Sequence, residues 1–324
     1  MMSGDPVSDV LRTVRLTGAS FFDVSAIVPW VAETLPRQLV LPKILPGADH
    51  LIAYHMVVEG ECYAGIVGQE PLALKAGEVI VFTNGDPHVL SSSPGMRSHP
   101  ADTTLLDRTG DRDIPFHLNY GSNGPTATKF ICGFLACDAQ PFNPLLENLP
   151  AVIKAGDRPS SGGGALHQLF QLAAHESAAR RTGSAGMLAK LSELMFIEVI
   201  RQHLDSLTEI ESGWLAGLRD PMIAKALSLM HGLPADDWTL ERLARLVGTS
   251  RSVLVERFTR IVGMPPMQYL ARWRMQIASS LLSQGNRNMA SIAAEVGYAS
   301  EQAFSRAFKK VVGTPPSAAR RHLA

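Results

Sequence analysis

Two short sets of side chains in the last third of the chain have the chemistry of base readers. The first is Arg251, Ser252, Val255 and Glu256; the second is Glu301, Gln302 and Arg306. Short or planar polar groups at the start and middle of a helix match the donor and acceptor edges of base pairs in the major groove. Arg306 suits guanine, Gln302 suits adenine, and the Glu256 carboxylate can accept from cytosine N4. Arg260, Arg274, Lys309 and Lys310 fit phosphate, or the edge of the core, and set position rather than sequence. For Arg274, beside Trp273, a stack inside the domain is the competing reading. A second chemical group lies in the first half: His55, His88, Cys62 and Cys132. Two histidines are a start on a metal site, which needs three or four ligands in fixed geometry, or they are hydrogen-bonded core residues. The cysteines are oxidant-sensitive thiols if exposed and of low pKa, or small buried hydrophobes. Cys132 and Cys137, five apart on one strand, face opposite sides and do not pair. Cys62 and Cys132 can pair only if their Cα atoms approach within about 7 Å.

The elements that hold the base readers repeat. Leu243-Ala244 is followed by Gly248, Phe258, Gly263 and Pro266; Ile292-Ala293 is followed by Gly297, Phe308, Gly313 and Pro316. The spacing is the same except for one extra residue between Gly297 and Phe308. Each copy reads as a helix, a turn at the glycine and a second helix. Thr239 and Ser250 are placed as caps, and Leu240, Leu243, Ala244 and Val247 share a face. Pro265 to Leu282 reads as one long helix with Met267, Leu270, Met275, Ala278, Leu281 and Leu282 buried. It sets the spacing of the two copies, and two recognition helices about 34 Å apart would meet successive major grooves. Charge agrees: residues 220–324 hold 14 Lys and Arg against 7 Asp and Glu, while 1–219 hold 16 against 23. A neutral total hides a basic C-terminal third, which implies a polyanion partner.

Residues 220–321 resemble the DNA-binding domain of the AraC/XylS family of bacterial transcription regulators. The likeness rests on Trp238-Thr239-Leu240, Leu243-Ala244, Ser250-Arg251-Ser252, Phe258, Gly263 with Pro265-Pro266, Tyr269-Leu270 and Trp273-Arg274-Met275. It continues through Ile292-Ala293, Val296-Gly297-Tyr298, Ser300, Phe304, Arg306, Phe308-Lys309-Lys310, Gly313 and Pro315-Pro316. The resemblance implies sequence-specific binding to double-stranded promoter DNA, with RNA polymerase as a candidate partner.

Length and composition predict two domains. The 324 residues are 46% hydrophobic and 19% charged, enough for two cores. No apolar run reaches the roughly 18 residues of a membrane span, and the start Met-Met-Ser-Gly-Asp-Pro has no signal-peptide pattern. Three cysteines fit a reducing compartment. A cytoplasmic protein is expected.

Before residue 155 the texture is that of strands. Asp5 to Thr34 is read as one or two leading helices anchored by Val10, Leu11, Val14 and Leu16. Then 39–41, 51–58, 63–67, 78–82 and 128–135 are β-branched runs separated by turn signals, which predicts an antiparallel barrel or jelly roll. Ser91 to Pro115 is a long polar excursion. Gly77, Thr83, Gly85 and His88 resemble the second cupin motif, with Thr83 where proline is usual; of the first motif's histidines only His55 is present. Cys62-Tyr63, Gly77-Glu78, Gly85-Asp86 with His88, Cys132-Gly133 and Asn143-Pro144-Leu145-Leu146 with Leu149-Pro150 are similar to the cupin-type sensor of one AraC subgroup. That resemblance implies a domain sensing a small molecule or an oxidant, some members of the subgroup being thought to sense oxidants through cysteine.

The expected architecture is therefore α+β in two domains: a cupin-like antiparallel β-barrel sensor at 1–155 and an all-α double helix-turn-helix DNA-binding domain at 220–324. A helical connector at 156–219 joins them, with a break at Pro159 to Gly164 and helices over Ala165–Ala179 and Met187–Leu207. The broad apolar face of the second helix fits burial against the barrel or a homodimer interface. No catalytic residue, metal site or cofactor is assigned. The competing class is a cupin-type metal-dependent dioxygenase with a DNA-binding tail.

Overall fold

The computed structural model describes residues 5–14, 16–44, 48–98, 116–121, 124–137, 141–156, 164–179, 181–207, 213–285 and 287–323. Most of the polar excursion and of the glycine-rich break falls outside these. The chain divides into two compact units: Leu16–Cys137 with Pro150–Ser206, and Met1–Arg15 with Asp138–Leu149 and Leu207–Ala324. Both units are thus built from discontinuous pieces. The helices expected as a connector belong to the first unit.

The chain opens with α1 (Pro6–Thr13), capped by the Asp5 carboxylate and belonging to the second unit. The first unit then contains β1 (Thr17–Ala26), β2 (Val31–Glu33), α2 (Arg37–Ile44), β3 (His50–Glu59), β4 (Glu61–Ile66), β5 (Leu72–Lys75) and β6 (Glu78–Phe82). It continues with β7 (His88–Ser91), β8 (Phe116–Tyr120), β9 (Thr128–Cys137), β10 (Val152–Gly156), α3 (Ala165–Ala179) and α4 (Ser184–Ser206). The strands form two sheets, ordered β10-β6-β3-β9-β1-β8 and β2-β7-β4-β5. The expected closed antiparallel barrel is not what forms. The sheets remain separate and face each other, and β8 runs parallel to β1.

The core explains the layering. Val24 on β1, Ala53 and Val57 on β3, and Phe130 and Phe134 on β9 join Cys62, Ala64, Leu74 and Leu90 of the smaller sheet in one apolar cluster. Alternate residues of the larger sheet face away from it, yet Phe21, Ile52, Tyr54, Met56 and Ile131 are also buried. They lie on the face opposite that cluster, and α4 packs against β1, β9 and β10. A strand covered on both faces loses the polar alternation that marks a half-exposed one. This is why β1, with Phe21 and Phe22 both buried, reads as helical from its sequence.

The 39–41 run is likewise helix α2, not strand. Val40 is buried while Leu39 is half exposed, a one-sided burial that fits a helix. Tyr54 reaches from β3 to donate or accept a 2.6 Å hydrogen bond with Ser192 on α4. The neighbouring position on β9 must be glycine, because a Cβ on Gly133 would lie 2.2 Å from the Tyr54 hydroxyl.

The second unit holds α5 (Trp214–Arg219), α6 (Pro221–Gly232), α7 (Leu240–Val247), α8 (Arg251–Val262), α9 (Pro266–Ser283), α10 (Met289–Glu295), α11 (Glu301–Val312) and α12 (Pro316–Leu323). Its first half is built on an aromatic stack. His231 lies 4.1 Å from Trp273 at an interplanar angle of 7°, with Trp214 and Tyr269 beside it. Residues 141–149 complete it: Phe142 donates its N–H to Gln276 and its ring lies under Arg272, while Asn148 accepts from the Trp214 N–H. A boundary at 220 therefore cuts through a core rather than before it.

Two outcomes test this packing. Gly133→Ala should cost about 1–3 kcal/mol in urea unfolding, because the added methyl must displace Tyr54; a loss under about 0.5 kcal/mol would contradict the close approach. A fragment from Leu207 should unfold at higher urea than one from Asp220, since only the longer one keeps the fully buried Trp214. Equal midpoints would show that α5 adds nothing to the helical core.

Candidate nucleic-acid interface and ligand cavity

The sequence builds each helix-turn-helix locally. Thr239 accepts from the Arg242 N–H to start α7, and Ser250 accepts from the Val253 N–H to start α8. In the second copy Asn288 and Ser300 do the same for α10 and α11. Between the paired helices Gly248 and Gly297 take φ of 82° and 79°, the left-handed turn that favours glycine. One face of each recognition helix is locked down: Leu254 and Phe258 on α8, Phe304 and Phe308 on α11, all fully buried. Helical period then sends the other face outward.

That outward face carries the side chains picked from the sequence. Arg251, Ser252, Glu256 and Arg260 on α8 are exposed and Val255 half-buried; Glu301, Gln302, Arg306, Lys309 and Lys310 on α11 are all exposed. Among the described residues Arg306, Lys309 and Lys310 have no ion-pair partner. Arg251 is held by Glu241 at 2.9 Å. Val253, on the first turn of α8, is also exposed, and nothing in its residue type marks it in the sequence.

Arg274 takes an internal role, but not against Trp273. Its guanidinium donates to the Pro234 and Asp236 carbonyls and lies 5.8 Å from the Tyr298 ring, and burial lowers its pKa.

The sheet unit brings together three of the four residues singled out for sensing. His55 on β3 and Cys132 on β9 are cross-strand partners, and His88 faces them from β7 in the other sheet. Cys132 Sγ lies 2.7 Å from His55 Nδ1, His55 Nε2 lies 2.6 Å from His88 Nε2, and His88 Nδ1 lies 2.7 Å from the Asp86 carbonyl.

The chain has one consistent proton arrangement. A carbonyl only accepts, so His88 carries its proton on Nδ1 and accepts at Nε2. His55 therefore donates from Nε2 and accepts at Nδ1, and the Cys132 thiol donates. Burial holds both rings neutral: it lowers His55 well below its usual pKa, helped by the repulsion between two protonated rings, and lowers His88 to about 4. Burial likewise raises Cys132 well above its usual pKa. Cys62 is buried in the same cluster but outside this chain, with its thiol pushed up to about 12 by burial and then by Glu78. All three cysteines are buried, and no disulfide joins them.

A metal does not fit these donors as they stand. His55 spends its two nitrogens in opposite directions, and among the described residues no three His, Cys, Asp or Glu side chains are placed to hold an ion.

Beside this hydrogen-bonded chain is a cavity of about 100 Å³ between the sheets. His55 and Cys132 form part of its wall, with Phe22, Phe130, Phe134 and Leu118 among the apolar residues.

A two-sheet unit with a cavity and a helical unit with two capped helix-turn-helix motifs together define a DNA-binding regulator. Comparison with known proteins agrees. Residues 5–205 match the family described as Cupin, and residues 243–322 match the family described as Helix-turn-helix domain. A putative AraC-like transcription regulator of Streptomyces lividans is 33% identical, covering 98% of this chain and 98% of that protein. One from Streptomyces antibioticus is also 33% identical, covering 98% and 99%. The C-terminal domain of AraT, a response regulator from Geobacillus stearothermophilus, is 30% identical over 31% of this chain and 84% of that one, with a TM-score of 0.31. The chain belongs to the AraC-like transcription regulators with a cupin-type N-terminal domain. No helix among the described residues is long and apolar enough to cross a membrane.

The neutral rings set a pH dependence. An unfolded histidine takes up its proton near pH 6.5, whereas folded His88 does so only near 4. Stability is therefore full above pH 6.5 and is lost as the pH falls toward 4, by on the order of 3 kcal/mol for His88 alone. His55, His50 and His231 act in the same direction. NMR of the ring nitrogens at pH 5.5 should show His55 and His88 neutral, with the protons placed as above. Either ring titrating near 6.5 would contradict the buried chain.

Proposed function

We propose that this regulator sets α8 and α11 into successive major-groove segments of promoter DNA, and that the cavity between its sheets takes a small-molecule effector. The observation that carries the reading is the outward set Glu301, Gln302 and Arg306 on a helix whose other face is fully buried. Arg306 is the guanine contact, Gln302 suits adenine, and Arg251, Ser252, Val255 and Glu256 do the corresponding work on α8. Arg260, Lys309 and Lys310 hold phosphate.

Residues 1–219 carry seven more acidic than basic side chains and would be repelled by phosphate, so the effector acts on how the helices are presented. A small molecule is favoured over an oxidant as the effector. Cys62 and Cys132 are both buried and protonated, and a thiol in that state is a poor target. Assembly as a homodimer has support in Leu172, Met187 and Leu194, apolar residues left exposed on α3 and α4. RNA polymerase is the expected partner at the promoter.

The test is a binding-site selection with the full chain. Arg306→Ala should cost about 1–3 kcal/mol and relax preference at one base position. Lys309→Ala should weaken all sequences alike and lower the salt slope by about one. An unchanged base preference in Arg306→Ala would defeat the assignment of α11.

A further inference from the structure

The cavity wall is specific about chemistry. Its apolar part comes from aromatic and branched residues of both sheets, with Phe22, Leu90, Phe130 and Phe134 contributing. Apart from Tyr120, its polar groups already have partners. His55 and Cys132 are spent in the hydrogen-bonded chain. Thr34 donates to the His88 carbonyl and accepts from the His88 N–H. Glu33 receives both arms of Arg97 at 2.9 and 2.6 Å, together with the Ser98 N–H. That fork of Arg97 is thereby occupied, and among the described residues no cation lines the cavity.

A carboxylate ligand would meet Glu33 and find no counter-charge. A sugar would bury hydroxyls against saturated partners, at the full cost of their lost hydration. The Tyr120 hydroxyl makes no hydrogen bond among the described residues, so one polar group on a ligand has a place to go. At about 100 Å³ the cavity is smaller than the roughly 150 Å³ that holds benzene, which sets about one ring as the upper limit.

We infer that the cavity binds an uncharged, mainly apolar molecule of about one ring, with room for one hydrogen-bonding group facing Tyr120. This deepens the effector reading given above and rests on it for its role in regulation, but not for the binding itself.

The test titrates the full chain by calorimetry with toluene, p-cresol, benzoate and arabinose. Toluene and p-cresol should bind at least about tenfold more tightly than benzoate, and arabinose should give no heat. Ala32→Phe fills the cavity from β2 without touching the hydrogen-bonded chain, and should weaken both ring ligands by at least about tenfold. Tyr120→Phe should weaken p-cresol several-fold and leave toluene unchanged. Circular dichroism checks that both variants are folded; Leu35→Phe, on the same wall, replaces Ala32→Phe if that variant is not.

Benzoate binding as tightly as p-cresol, arabinose binding, no binding of either ring, or ring binding indifferent to the filled cavity would each overturn the assignment. DNA affinity measured with and without p-cresol separates the two levels. Ring binding in the expected order with unchanged DNA affinity would uphold the ligand class and remove the effector role.

Discussion

The sheet unit depends on one polar line through an apolar core, running from Cys132 through His55 to His88 and the Asp86 carbonyl. Its middle link, His55 to His88, crosses from one sheet to the other. A buried imidazole without a partner is costly, so each member is tolerable only because the next satisfies it. The line also fixes register. A one-residue slip of β3 would turn His55 to the face where Tyr54 now meets Ser192, and would leave His88 Nε2 without its partner. With every proton placed and every ring neutral, the wall of the cavity offers little to a charged molecule. Structural requirement and ligand preference thus come from the same atoms.

The helical unit solves a different problem, that of holding two similar motifs on one frame. Helix α9 packs Met275, Ala278 and Leu282 against the second motif, and Tyr269 and Trp273 join the aromatic stack of the first half. Arg274 ties the motifs together by bonding carbonyls ahead of α7 while lying over Tyr298 of the second turn. The extra residue in the second copy has a structural use. Phe258 and Phe308 occupy the same place in their helices, so the insertion falls in the turn, where Tyr298 and Ala299 stand in place of Thr249. Tyr298 then packs on Phe304 as well as on Arg274.

These two solutions differ in how much of them can be read from sequence. The helix-turn-helix motifs are local: caps at Thr239, Ser250 and Ser300, glycines at the turns and a helical burial period all lie within a few residues of one another. Their exposed sets follow from the buried ones by period alone. The sheet unit is not local. The strands at 50–59 and 128–137 are plain in the sequence, but β1 is buried on both faces and α2 imitates a strand over 39–41. His55, His88 and Cys132 stand out by type, yet their partnership needs the pairing of β3 with β9 and the facing of β7 across the core. Neither leaves a mark in spacing. Val253 is silent in the sequence because an exposed valine carries no polar signal.

Hydroxyl-radical footprinting of the full chain on a bound promoter tests most directly whether the two recognition helices of one chain contact DNA together. Two protected patches on one face of the duplex, about 10 base pairs apart for each bound chain, are the predicted result. A single protected patch per chain, or protection spread evenly along the duplex, would contradict it.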